Sequence, residues 1–189
     1  MKCVGVTGLF ASGKTSAAKI LAKRLRGEAF SLSDEVRVEA KKRAREPTVD
    51  NLRRLANELR AAKGPGVWAE RVIARAKRSG RVWAVVESIR SPAEVSALRR
   101  FFGKRFFLVA INAPVGLRFK RFSRTPRGKE FSSLAEFKAA ERKQLAGGRE
   151  NQAITKAMAL ADFSIMNSGT RAQLEKKAGA LALRLTRGA

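Results

Sequence analysis

The segment Gly8-Leu9-Phe10-Ala11-Ser12-Gly13-Lys14-Thr15 sets two glycines ahead of a lysine and a threonine. Each residue type has a physical task. Gly8 and Gly13 let the backbone curl until its N–H groups face one anion, with Ala11, Ser12 and Ser16 supplying amides of the same wrap. A helix that begins near Gly13 adds the positive end of its dipole. Lys14 reaches β- and γ-phosphates, and Thr15 offers a hydroxyl to Mg²⁺. The spacing is that of a phosphate-binding loop (P-loop). Its flanks agree: Cys3 to Val6 reads as a buried strand, and Ala17, Ala18, Ile20, Leu21 and Leu25 mark one face of a helix. A nucleoside triphosphate site using ATP and Mg²⁺ follows.

Other charged residues fall where a second substrate would meet this loop. Asp34 follows the second strand and can accept a proton from an acceptor hydroxyl or hold magnesium, a helix cap being the plain alternative. Arg37, Arg60 and Arg90 are candidates for gripping an acceptor. Glu87 ends the Val82–Val86 run, where a second acid beside magnesium belongs. Arg118, Arg121 and Arg124 repeat every three residues on one predicted helix face. With Arg127 they can close over the triphosphate and stabilise charge on the transferring group. The Asn167-Ser168-Gly169 step, after the last strand, can read adenine through Asn167 and Gly169.

The elements that must position these groups alternate regularly. Short apolar runs at Cys3–Val6, Ala29–Leu32, Val82–Val86, Phe106–Ile111 and Phe163–Met166 predict about five buried strands. Helices are expected from Lys14, over Glu35–Arg45, from a cap at Thr48, over Val67–Arg78, after the Ser91-Pro92-Ala93-Glu94 capping box, from Pro114 to Arg124, after Ser133, and after Thr170. Strands alternating with helices imply an α/β, three-layer fold: a parallel sheet with helices on both faces and ligands at the strand carboxyl ends. The stretch Ser123 to Ser132 breaks both periods and reads as a mobile basic loop. One domain of 189 residues is expected, with a lid at about 118–132 and acceptor-binding helices at about 34–62.

Composition excludes several chemistries. There is no His, so His-based triads and metal sites are out. Cys3 is single and sits in an apolar run, so it reads as a small buried hydrophobe. Trp68 and Trp83 read as core. No apolar run long enough to span a membrane exists, and the N-terminal segment lacks a signal-peptide pattern, so a cytoplasmic protein without a membrane partner is expected. The net charge is +25, which attracts phosphates of every kind. The Lys and Arg are spread along the chain with few aromatics between them, which favours a small-molecule acceptor over a nucleic-acid partner.

With these residues in place, the chain resembles nucleoside-monophosphate-kinase-type P-loop kinases. It is most similar to an archaeal group of uncharacterised adenylate-kinase-related P-loop proteins, with dephospho-CoA kinase next. The likeness rests on Gly8–Thr15, Ser33-Asp34-x-x-Arg37, Asn51-Leu52 with Leu59-Arg60, Val85-Val86-Glu87-Ser88-Ile89-Arg90, and Ala161 through Gly169. It implies Asp34 as base and lid arginines from Arg118 to Arg127 closing on ATP. The chain departs from that pattern at Glu87-Ser88, where Asp-Gly is expected, at Gly128-Lys129, where acidic residues are expected, and between Gln144 and Asn151. The implied activity is transfer of the γ-phosphoryl of ATP to a nucleoside monophosphate or dephospho-CoA. A nucleic-acid-linked NTPase or polynucleotide kinase that uses the basic surface is the alternative.

Overall fold

Five segments rich in Val, Ile, Phe and Ala form the strands of one parallel sheet: β1 (Lys2–Thr7), β2 (Glu28–Ser31), β3 (Trp83–Ile89), β4 (Phe106–Asn112) and β5 (Phe163–Met166). Their order is β2-β3-β1-β4-β5, with every pair parallel. The computed structural model describes residues 1–125, 128–146 and 151–187, apart from the side chains at 49, 129, 143–146, 151 and 152. Nine α-helices occur among the described residues: α1 (Lys14–Arg24), α2 (Leu32–Lys42), α3 (Val49–Lys63), α4 (Val67–Arg78), α5 (Pro92–Phe102), α6 (Val115–Phe122), α7 (Leu134–Ala146), α8 (Asn151–Ala159) and α9 (Arg171–Arg187).

The central strands are covered on both sides, which is why they read as unbroken apolar runs. One layer packs α2 to α5 and α8 against the sheet around Trp68, Leu55, Ile89 and Leu98. The other packs α1 and α9 around Leu21, Ile111, Leu174 and Leu181. Trp68 and Trp83 are core, and Cys3 is fully buried, where loss of solvation pushes its thiol far above the ordinary range. Among the described residues no helix is long and apolar enough to cross a membrane.

Local chemistry sets the helix starts. At α5 the Ser91 hydroxyl accepts from Glu94 N–H at 3.2 Å, Glu94 accepts in return from Ser91 N–H, and Pro92 takes the first turn. Thr48 caps α3, and Thr170 with Gln173 caps α9. Several boundaries differ from the sequence reading. Helix α2 begins at Leu32, so Asp34 lies inside its first turn rather than ahead of it. Strand β3 starts one residue later than Val82, which is exposed, and runs on through Glu87 to Ile89. Helix α6 stops at Phe122, so Arg124 sits in the turn beyond and does not share a helix face with Arg118 and Arg121. Helix α8 had no clear apolar stripe and was not expected. Gly128–Glu130 forms a short 3₁₀ turn inside the expected lid, while Arg127 and the Gly147-Gly148 step lie outside the described residues.

Candidate active site

The loop between β1 and α1 curls as its sequence demands. Gly8 has φ 151°, and a Cβ there would meet the Ile111 carbonyl at 2.4 Å. Gly13 has φ 95°, and a Cβ there would strike the Asn167 amide at 2.3 Å. Ala11 also adopts a left-handed conformation, φ 56°. Helix α1 starts on Gly13 with no side-chain cap and no acid in its first turn. Its leading N–H groups therefore point outward unclaimed by any side chain, with the dipole's positive end behind them. The Ser12 hydroxyl is buried with no hydrogen-bond partner among the described residues. An uncapped helix start, a curled loop and an orphaned hydroxyl together fit a polyphosphate.

Lys14 donates to the Leu9 carbonyl at 3.2 Å, which holds its ammonium over the loop. Burial first, and then the charge of Arg90, hold its pKa below the ordinary value, at about 8, against the opposing pull of Glu87. Thr15 donates its hydroxyl to Glu87 Oε2 at 3.2 Å, and Ser88 donates to the same oxygen at 3.1 Å. Thr15 and Glu87 are thus brought together as a magnesium site requires, and both are oxygen ligands of the hard kind Mg²⁺ prefers. Asp34 is not part of this pair. Its carboxylate accepts from Arg37 at 2.7 Å on the exposed side of α2, and among the described residues it bonds to neither Thr15 nor Glu87.

Ser88 explains how Glu87 gets there. The β1–β3 register slips between Val6 and Thr7, leaving Ser88 as an extra residue with φ 65°. Thr7 then donates to Ile89 O at 2.8 Å on the far side of this bulge. A bulge re-aims the neighbouring side chain and commonly uses a residue of glycine-like conformation. Sequence reasoning noted Ser88 only as a departure from Asp-Gly; the missing glycine was the available signal.

Arg90 links the P-loop to the other arginines expected to grip an acceptor. Its charge acts on Lys14 and lies within electrostatic reach of Glu94, Arg60, Glu87 and Arg37. Beneath them Glu94, 1% exposed, accepts from Arg90 N–H at 2.8 Å and from Arg60 at 3.1 Å. The sequence marked Glu94 as a helix cap; its second role as the buried anchor of the arginines depends on α3 bringing Arg60 to it. Arg37 and Arg60 are therefore both within electrostatic reach of Arg90, and Arg90 is within reach of Lys14.

On the other flank the expected nucleotide-closing arginines divide. Arg118 is buried, paired through both terminal nitrogens with Glu141 (2.5 and 2.9 Å), and donates to the Phe10 carbonyl of the P-loop at 3.4 Å. It braces the loop rather than standing free above it, because Glu141 on α7 claims its guanidinium. Arg121 donates to Asn167 Oδ1 at 3.4 Å and to the Gly169 carbonyl at 3.3 Å, and its Nη1 is buried without a partner among the described residues. Asn167 in turn donates to the Ser12 carbonyl at 2.8 Å. The residues read as an adenine contact are thus tied to the P-loop itself. Arg124 is exposed. Phe10, Phe122, Phe131 and Phe137 pack edge-on or tilted into one aromatic cluster between the P-loop and the expected lid, a contact no sequence spacing announces.

A parallel sheet in this order, with a P-loop between its central strand and first helix, defines a P-loop α/β protein of the kinase type. Solved structures agree: a gluconokinase from Sinorhizobium meliloti superimposes with a TM-score of 0.60 at 14% identity, covering 99% of this chain and 94% of that one. A shikimate kinase from Bacteroides thetaiotaomicron gives 0.59 at 15%, covering 98% of each. At such identities the likeness concerns the fold. No family model matches the chain. Among curated proteins it is 35% identical over 178 residues to a UPF0200 protein of Pyrococcus horikoshii, covering 91% of each, and 35% over 176 residues to one of Aeropyrum pernix, covering 93% and 89%. It is also 34% identical to the UPF0200/UPF0201 protein of Archaeoglobus fulgidus along 99% of its own length, spanning 57% of that relative. The chain belongs to the UPF0200 family, so the resemblance to archaeal P-loop proteins holds.

Proposed function

We propose that this protein is an ATP-dependent phosphotransferase whose acceptor is a small, anionic, nucleotide-like molecule, a nucleoside monophosphate first and dephospho-CoA second. The observation that supports this best is the contact of Thr15 with Glu87 at the foot of the phosphate loop, with Arg90, three residues on, within electrostatic reach of Lys14, Arg37 and Arg60. The P-loop amides and Lys14 hold the triphosphate. Thr15 and Glu87 are the residues that would hold Mg²⁺, which supplies charge neutralisation at the β- and γ-oxygens. The arginines orient the acceptor so that its oxygen lies in line with the γ-phosphorus. The new O–P bond forms as the bond to the β-bridging oxygen breaks, and ADP leaves. If the acceptor oxygen is a hydroxyl, its proton passes to Asp34 once Arg37 turns to the acceptor; if it is a phosphate oxygen, no base is needed.

An ADP-release assay with Mg·ATP, offering nucleoside monophosphates, dephospho-CoA and short RNA in turn, tests this reading. Turnover with one small acceptor, lost in Lys14→Ala, is the expected result. Turnover with RNA alone, or none with any acceptor, would sink it.

A further inference from the structure

The positive charge, spread evenly along the sequence, is not spread evenly over the fold. Helices α2 to α5 carry thirteen Lys and Arg against seven acids. Many of those bases are consumed: Glu39 holds Arg71, Glu35 holds Arg75, Glu94 holds Arg60, Asp34 holds Arg37 and Asp50 holds Arg53. Helices α1 and α9, which pack side by side on the opposite face of the sheet, carry nine Lys and Arg against one acid, Glu175. That single acid is already paired with Arg171. Apart from Lys14, every one of these bases is exposed. Arg24 reaches across to within 3.6 Å of the Cβ position of Gly179, so the two helices present one continuous surface. A shallow open groove lined by Ala180, Leu183, Arg184 and Arg187 extends it.

We propose that the α1/α9 face is a docking surface for the phosphate backbone of double-stranded nucleic acid, read without regard to sequence. Unneutralised bases on a face about 25 Å long match a duplex carrying one charge per about 1.7 Å. The face lacks what other polyanionic partners require. Single strands stack their bases on aromatic side chains, and the one large exposed hydrophobic on these two helices is Leu183. A membrane surface takes up an apolar helix face, and the apolar stripe of α9 (Leu174, Ala178, Leu181, Leu185) is turned onto the sheet. Apart from Lys14, none of these bases belongs to the candidate phosphate or acceptor site, so docking and phosphoryl transfer are separable.

The test is fluorescence anisotropy of a short labelled duplex, DNA and RNA in separate arms, between about 50 and 200 mM salt. The native chain is expected to bind with a steep salt dependence. The triple variant Lys23→Glu, Lys176→Glu, Arg187→Glu is expected to lose on the order of 10²-fold in affinity near 0.1 M salt, with the log–log salt slope shallower by up to about 2.7. The control triple Lys42→Glu, Arg78→Glu, Arg100→Glu changes net charge equally on the opposite layer and is expected to bind as the native chain does. Circular dichroism melts confirm that both variants fold, a readout independent of any nucleotide chemistry. Equal loss in both triples would overturn the proposal, since only bulk charge would then matter. So would the absence of salt-sensitive duplex binding, or capture by anionic lipid vesicles in its place.

Discussion

Replacing Ser88 in two ways separates backbone strain from side-chain chemistry. Ser88 has φ 65° at the β3 bulge, and a Cβ in that region costs about 1–2 kcal/mol. Glycine removes that cost but adds unfolded-state freedom worth about 0.5–1 kcal/mol. Alanine keeps the strain. Neither carries the hydroxyl that Ser88 donates to Glu87 at 3.1 Å, so the difference between the two variants reports the backbone alone. Ser88→Gly is expected to be more stable than Ser88→Ala by about 0.5–1 kcal/mol. For a chain of this length that is about 1–4 °C in Tm, measurable in far-ultraviolet circular dichroism melts and checked by urea midpoints at equal slope. Against the native chain, Ser88→Ala loses the hydrogen bond and drops by about 1–1.5 kcal/mol. An alanine variant that melts at or above the glycine variant would refute the reading of Ser88 as a strained bulge residue.

Three further outcomes follow from the site. Because burial and Arg90 hold Lys14 near pKa about 8, its charge is complete below that pH and is lost above it. ATP affinity is therefore expected to fall as pH rises through about 8, and Lys14→Arg, which keeps its charge, to flatten the profile in titration calorimetry between about pH 7 and 10. Gly13→Ala puts a Cβ 2.3 Å from the Asn167 amide and should weaken ATP binding on the order of tenfold or more, whereas Gly64→Ala, at φ 94° with open space around it, should leave ATP affinity unchanged. Glu141→Gln leaves the buried Arg118 guanidinium without its counter-charge and is expected to cost about 3 kcal/mol of stability in urea titrations.

What could be read in advance divides by distance along the chain. The P-loop was legible because its parts are adjacent and each residue type has one evident job. The central strands were legible because burial on both faces leaves their middles apolar. Glu87 was read as a second acid beside magnesium from its position at a strand end, and its carboxylate accepts from the Thr15 hydroxyl at 3.2 Å. Asp34 was read beside magnesium on the same logic, but the helix starts earlier and Arg37, one turn on, takes its carboxylate. Arg118 was read as closing over the triphosphate, with no sign of its pairing to Glu141, which lies on another helix whose approach no local pattern encodes. The Phe10–Phe122 contact and the gathering of charge on α1 and α9 escaped for the same reason: both arise from packing between elements, which spacing within one element does not record.

The bond from Asn167 to the Ser12 carbonyl spans 155 residues. On the ribosome the phosphate cradle is therefore made early and braced late. At about 5–20 residues per second, on the order of 10–30 s pass between the synthesis of Ser12 and that of Asn167. Through that interval a nascent chain would carry the loop's sequence without its keystone. Tight nucleotide binding would then begin only when β5 joins the sheet, so triphosphate capture would mark the completion of the fold rather than guide its early steps.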